Sequence, residues 1–439
     1  MKIVYVGDNR NRGNYGCRAT STALSQIISK ENEIVGRVYG DYTNTNTGNL
    51  FFSKAYPKWI YNKIGKSSHL ELIKEHFYTL HRMISHGHYF LGKYDFISYD
   101  FDKSINNLIK CLPANPNLKS YDLRNYDFDA LVVNGEGSFI FSTPPWRECL
   151  IEAMLMYWAE KLGKKVYYLN GMLSSDPYSK LNDKTIEIVK PIFDKAEVIG
   201  VREKYSFEFA KKYFPDSNIV MYPDALFSWY GYINDDFKVK DGKYVIGMSN
   251  AKDDSYYNFD FTKKYICIGG SSSVGLAAKN KKQIISVYSN LVEKVKNEFK
   301  EYNVFIIETC EGDSFLRDVS NNTNVPFIPI DTPILSAGKI LANASLFISG
   351  RYHPSILASL GGTPCIFMSS NSHKTKSVQE ILNYDKIKEF NVLPEDEEIK
   401  SIISLSKEKI NGGLELRNKI KERCKYLSEE TIKQKDLIK

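Results

Sequence analysis

Short runs of β-branched and aromatic residues alternate with helix-period segments along almost the whole chain. Few folds accommodate that alternation. Parallel strands need long crossovers, helices supply them, and the product is a stack of βα units around a parallel sheet. In the first half the pattern predicts strands at Lys2–Gly7, Ile34–Tyr39, Ala130–Asn134, Val166–Asn170, Val198–Val201 and Ile219–Tyr222. Helices are expected at Tyr15–Ser29, Trp146–Leu162, Lys180–Val189 and Lys204–Tyr213. The alternation relaxes into a polar stretch around Gly231 to Gly242 and then resumes. Strands are expected at Tyr244–Met248, Tyr265–Ile268, Val304–Ile307, Phe327–Ile330, Leu346–Ser349 and Cys365–Met368, with helices near Lys281–Phe299, Ile334–Asn343, Pro354–Leu360 and Lys376–Leu382.

A chain of 439 residues exceeds what one hydrophobic core organises. The expectation is an α/β protein of two Rossmann-like domains facing a cleft, the arrangement called GT-B-like. Residues 1–232 form the first domain, with a mostly helical insertion at 41–128. Residues 243–395 form the second, and a charged helical extension covers 396–439. Five of the seven His fall in the insertion (His69, His76, His81, His86 and His88), but their spacing does not put three on one helical face, so no metal site is expected. The net charge of +7 favours anionic small molecules or an acidic membrane surface over nucleic acid. Seven scattered Cys without a C-x-x-C pair suggest reduced thiols and a cytoplasmic protein. No apolar run approaches the ~20 residues of a membrane span.

The chemistry-bearing motifs sit at predicted strand ends, where α/β folds place ligands. In Ser349-Gly350-Arg351-Tyr352-His353-Pro354 an apolar strand stops at a glycine, and a guanidinium and an imidazole follow on the first turn of a helix. That pairing suits a phosphate or carboxylate handled by a group that also moves protons. Arg202 occupies the matching position in the first half, in Gly200-Val201-Arg202-Glu203. One arginine from each domain would clamp a small dianion. Asp224, in Tyr222-Pro223-Asp224, either contacts ligand or orients Arg202. Asn134-Gly135-Glu136-Gly137-Ser138 offers Glu136 as a base for a sugar hydroxyl. The loop Asn11-Arg12-Gly13-Asn14-Tyr15-Gly16 reads as an anion- or sugar-binding turn and lacks the dinucleotide spacing G-x-G-x-x-G. Gly269 to Gly275, with Ser271, offers backbone N–H groups to a phosphate. His373-Lys374 supplies cations beyond the last strand, and Glu308 to Asp313 carries carboxylates at another strand end.

Taken together, these residues resemble the polysaccharide pyruvyl transferase family over nearly the whole chain. The resemblance rests on N-x-G-N-x-G at Asn11, N-G-E-G-S-F at Asn134, V-R-E-K-x-S at Val201 and P-D-A-L-F at Pro223. Most specific is S-G-R-Y-H-P-S-I-L-A-S at Ser349, followed by G-x-P and S-x-x-H-K-T. The resemblance implies a GT-B-like fold and transfer of a pyruvyl group from phosphoenolpyruvate to a sugar diol as a cyclic ketal, in cell-surface polysaccharide synthesis. By motif position it implies that Arg202, Arg351, His353 and Lys374 hold the donor, and that Glu311 or Asp313 takes part in acid–base work. No cofactor is implied beyond the donor itself. The insertion after Gly40 departs from compact members and is the expected seat of acceptor specificity. The acceptor's form stays open, a lipid-linked sugar at the inner face of the membrane included. A nucleotide-sugar glycosyltransferase is the competing activity, and a non-catalytic carbohydrate-binding protein is the third reading.

Overall fold

The structure, a computed structural model, describes residues 1–40, 95–113, 116–176, 179–235 and 259–439. The expected strand Tyr244–Met248 and the five His of the insertion lie outside these residues. Two compact units emerge: Met1–Asn9 with Ile28–Met221 and Leu437–Lys439, and Arg10–Ile27 with Tyr222–Asp436. The first helix of the sequence, α1 (Tyr15–Ile28), thus clusters almost entirely with the second unit.

The first unit is built on strands β1 (Lys2–Asp8), β2 (Glu33–Tyr39), β3 (Ala130–Asn134), β4 (Lys165–Gly171), β5 (Val198–Val201) and β6 (Ile219–Met221). They form one six-stranded sheet in the order β6-β5-β4-β3-β1-β2, parallel throughout. All five residues of β3 are buried, as a strand covered on both faces requires. What was expected as a mostly helical insertion contributes, where described, one helix, Phe101–Cys111, and two short 3-10 turns. That helix starts on Asp100, whose side chain accepts from the Lys103 N–H, and buries Phe101, Ile105 and Leu108 at helical spacing.

The second unit repeats the scheme with β7 (Tyr265–Ser271), β8 (Asn303–Ile307), β9 (Phe327–Ile328), β10 (Leu346–Gly350), β11 (Cys365–Met368) and β12 (Glu389–Phe390). Their order is β9-β8-β7-β10-β11-β12, again parallel. The helix Lys281–Glu298 is capped by Asn280 and turns Ile284, Tyr288, Leu291, Val292 and Val295 onto the sheet's core. The C-terminal segment forms two helices, Asp396–Asn411 and Gly413–Ile432. Arg417, on the second of them, donates to the carbonyls of Ala342, Ala344 and Gly361 at 2.6–3.1 Å, which ties this helix to the second unit. In each sheet the order reverses once, between β1 and β3 and between β7 and β10. Such switch points open a crevice at the carboxyl ends of the strands.

Glu160, near the end of the helix Arg147–Lys161, has its carboxyl pushed by burial from 4.5 up to about 7, with Lys195 pulling the other way. The folded protein therefore holds a proton that the unfolded chain gives up between those values, and stability falls as pH rises through that window. Thermal melts of Glu160→Gln should match the parent near pH 4 and exceed it at pH 8. An equal melting difference at both pH values would contradict this placement.

Candidate functional site

The second unit's switch point carries the chemistry that the sequence singles out. Strand β10 ends beside the end of β7, with Gly350 paired to Ser271. Arg351 follows at once, and the helix α2 (Tyr352–Leu360) opens with Tyr352 and His353. Both Arg351 and His353 are backed by buried carboxylates.

Arg351 meets Asp313 edge-on: Nε donates to Oδ2 at 3.0 Å and Nη2 to Oδ1 at 2.6 Å. Asp313 is fully buried, and Thr309 Oγ1 lies 3.4 Å from its Oδ2. Burial is the largest influence on Arg351 and would lower its pKa, but the charge and hydrogen bonds of Asp313 together with Cys310 and Tyr288 reverse it, the net direction is upward, and the guanidinium stays charged. For Asp313, burial raises the pKa and Arg351 opposes the rise. Gly270 makes room for this carboxylate, because a Cβ there would fall 2.0 Å from Asp313 Oδ1. A guanidinium has five N–H donors and Asp313 engages two, so the Nη1 edge remains outside the pair. Asp313, expected as a proton-transfer group, has both oxygens committed to Arg351.

His353 presents Nε2 to Asp224 Oδ2 at 3.1 Å. Asp224 is fully buried, and its other oxygen accepts from Thr20 Oγ1 and from the Leu226 N–H, both at 2.9 Å. The ring also lies against Gly16, where a Cβ would stand 2.4 Å from His353 Nδ1. Asp224, expected to contact ligand or to orient Arg202, is thus hydrogen-bonded to His353.

The Asn11–Gly16 loop is stitched to the same turn. Asn14 forms an antiparallel bridge with Cys310, and the Glu311 N–H donates to Gly13 O at 2.9 Å. Gly13 is packed against the Glu311 side chain, with no space for a Cβ. Asn14 Oδ1 caps α1 by accepting from Gly16 N and Cys17 N, so those N–H groups serve the helix instead of an anion. Asn11 and Glu311 are exposed. Ser271, expected to bind phosphate, has its hydroxyl proton on the Ser369 carbonyl at 2.5 Å, because the β7 loop is sewn to the 369–371 loop. Lys374 opens the helix Lys374–Ile381 and is half-buried.

In the first unit, Asn134 ends β3 and Glu136 follows it at the other switch point. Glu136 is buried and adopts φ 33°, a left-handed conformation that is costly outside glycine. Its Oε1 accepts from Asn9 Nδ2 at 2.9 Å and Asn134 Nδ2 at 3.0 Å. Asn134 also donates to Gly7 O and accepts from Asn170 Nδ2, both at 3.1 Å. Gly135 has no room for a side chain, since a Cβ would strike the Tyr168 ring. Arg202, at the end of β5, is 2% exposed, and its N–H donates to Gly171 O at 3.0 Å. Asn9, Asn170 and Thr20 carry no motif that singles them out from sequence; only their positions at strand ends and on α1 bring them in, whereas Gly16 closes the Asn11–Gly16 motif.

The polysaccharide pyruvyl transferase family model matches residues 14–372. The chain belongs to this family. The matched span contains Arg202, Asp224, Asp313, Arg351 and His353. No curated protein sequence matches the chain. Among solved structures, the UDP-GlcNAc 2-epimerase of Neisseria meningitidis bound to UDP-GlcNAc is similar at 12% identity and a TM-score of 0.54, covering 98% of this chain and 99% of that one. A putative UDP-N-acetylglucosamine 2-epimerase from Listeria monocytogenes is similar at 9% identity and a TM-score of 0.50, covering 96% and 90%. Identities this low establish the fold alone, and that fold is GT-B-like. Among the described residues no helix is long and apolar enough to cross a membrane, and all seven Cys are unbridged.

The buried Arg351–Asp313 pair of this family member makes a direct stability prediction. Asp313→Ala strands a guanidinium without its counter-charge and should cost about 3–5 kcal/mol. Arg351→Met combined with Asp313→Ala should cost less than the sum of the single changes, with a coupling of about 2 kcal/mol in denaturant melts. Additive single effects would show that the pair is not coupled.

Proposed function

We propose that this member of the polysaccharide pyruvyl transferase family moves the pyruvyl group of phosphoenolpyruvate onto a sugar diol as a cyclic ketal and releases inorganic phosphate. One observation carries the reading. A permanently charged guanidinium and an imidazole stand two residues apart at a switch-point strand end, each held by its own buried carboxylate. Phosphoenolpyruvate combines a phosphate and a carboxylate on a three-carbon frame, and a cation beside a proton donor suits both its charge and its reaction.

The chemistry runs as an addition followed by a displacement. C3 takes a proton, which makes C2 electron-poor. One sugar hydroxyl adds to C2 and loses its proton, then the second hydroxyl displaces phosphate. Of the two hydroxyl protons, one is balanced by the new methyl hydrogen and the other leaves with phosphate. No electron changes hands, so the sum needs no redox cofactor.

Arg351 binds the anionic donor through the edge that Asp313 does not occupy, with Asp313 keeping that edge aimed. His353 is the acid at C3. Lys374 and Arg202 are assigned as further donor anchors by their motif positions. Glu136 is the base for the acceptor hydroxyl, since a strained, buried carboxylate at a switch point is where function is expected to hold strain. Asn11, Gly13, Asn14, Asn134 and Gly135 are placed in the supporting loops, and Glu311 is a secondary carboxylate. The acceptor is a building block of a cell-surface polysaccharide, and we place the reaction in the cytoplasm, with peripheral membrane contact where that acceptor is lipid-linked.

The test is phosphate release from phosphoenolpyruvate across a panel of lipid-linked and nucleotide-linked sugars, with each product weighed by mass spectrometry. Release with a ketal-bearing product is expected, and His353→Ala should slow it by about 10²-fold or more. Release of nucleotide from a nucleotide sugar, with phosphoenolpyruvate inert across the panel, would overturn the reading in favour of glycosyl transfer.

A further inference from the structure

Strands β1 and β4, the two neighbours of β3, both lose register near its last residue, Asn134. Strand β1 carries one residue more than β2 between the pairs Val6–Val38 and Asp8–Tyr39. Strand β4 carries one more than β5 between Tyr168–Ile199 and Gly171–Val201. Each slip holds a residue in the left-handed region, Gly7 at φ 76° and Asn170 at φ 57°. Asparagine tolerates that region better than most side chains, and glycine enters it freely. An extra residue of this kind re-aims what a strand end presents. Gly7 presents its carbonyl and Asn170 its side-chain amide, both to the Asn134 side chain.

The direction of the Asn134 amide follows from those neighbours. A backbone carbonyl and a carboxylate accept hydrogen bonds and do not donate them. Gly7 O at 3.1 Å and Glu136 Oε1 at 3.0 Å meet the same Asn134 atom, which must therefore be Nδ2. Its two hydrogens serve the two acceptors. Asn134 Oδ1 then faces Asn170, whose Nδ2 donates to it at 3.1 Å. Asn134, Asn170 and Glu136 are all buried, so solvent does not make good a hydrogen bond lost among them.

We propose that Asn170 is a positioning residue for deprotonation of the acceptor: by fixing which way the Asn134 amide faces, it fixes the aim of the Glu136 carboxylate. The proposal rests on the reading of Glu136 as the base for the acceptor hydroxyl. Asn170 acts through Asn134 and needs no contact with substrate. Asn9 donates to the same Oε1 at 2.9 Å and holds the carboxylate from the β1 side. A reversed Asn134 amide would set its carbonyl oxygen against Gly7 O and Glu136 Oε1, acceptor against acceptor, and turn the carboxylate away.

The experiment compares three substitutions of Asn170 in the full-length protein. It follows steady-state phosphate release from phosphoenolpyruvate with the panel sugar that gives the fastest release. Asn170→Asp keeps the size and the tolerance for left-handed backbone but offers only acceptors to Asn134. The Asn134 amide then has to turn over. We expect kcat to fall by about 10²-fold, as for other misaimed catalytic groups. KM for phosphoenolpyruvate should stay within about threefold, because the donor's anchors are untouched. Asn170→Gly accepts the same backbone and removes only the amide, so kcat should fall by about three- to tenfold. It is the readout if Asn170→Asp does not fold. Asn170→Ala removes the same amide and adds left-handed strain, so it should match Asn170→Gly in kcat and melt at a lower temperature.

An Asn170→Gly enzyme with the parent's kcat would show that Asn170 merely shapes the strand end, and would overturn the proposal. So would an Asn170→Asp enzyme whose loss lies in KM for phosphoenolpyruvate. If the parent itself releases no phosphate, the pyruvyl-transfer reading fails, and melting decides the amide relay alone. The stability lost in Asn170→Asp should then shrink in an Asn134→Ala background, and an undiminished loss would contradict the relay.

Discussion

Two buried carboxylates organise the chemistry of this chain. Asp313 and Asp224 are both fully excluded from solvent, and each meets a guanidinium or an imidazole nitrogen of a residue that follows the end of the same strand. Burying a carboxylate is costly, and the cost is recovered only when the partner is well aimed and the remaining lone pairs are used. Thr309 supports Asp313, while Thr20 and Leu226 support Asp224. Glycines at 270 and 16 leave the space that these side chains occupy. The result is a guanidinium and an imidazole that cannot wander, which is what pre-organised catalysis requires.

The frame that delivers them is generic. Six parallel strands with a single order reversal put the ends of β7 and β10 side by side; β10 ends on Gly350, and only Arg351 separates it from the helix. The first unit uses the same device with different chemistry: amides from Asn9 and Asn134 converge on Glu136 at the ends of β1 and β3. The helix that follows β1 clusters with the second unit and brings Gly16 to His353 and Thr20 to Asp224. Its N-terminal loop is accordingly tied to Thr309, Cys310 and Glu311.

The alternation of apolar runs and helical patterns was enough to read the two sheets, because parallel strands buried on both faces leave an unmistakable hydrophobic run. Five of the six strands of the second sheet and all six of the first lie where the pattern puts them. The two-residue strand Glu389–Phe390 was too short to read, and the helix Phe315–Thr323 did not stand out although Phe315, Leu316, Val319 and Thr323 are buried at helical spacing, because it spans only nine residues. At the site, Arg351 and His353 stood out because a single strand–glycine–helix junction carries both. Their partners did not. Asp313 lies 38 residues from Arg351 and Asp224 lies 129 from His353, so no local spacing relates them. The same limit explains Ser271, whose serine- and glycine-rich surroundings suggested a phosphate cradle. Its hydroxyl instead closes a loop against Ser369, 98 residues away.

The central claim is that the donor is phosphoenolpyruvate and that its C3 is protonated in the site that Arg351 and His353 form. Running the reaction in deuterium oxide and weighing the purified product after back-exchange tests it most directly. The account predicts a ketal methyl group that carries one non-exchangeable deuterium, formed in step with phosphate. A product that forms without solvent deuterium in its transferred group would contradict it.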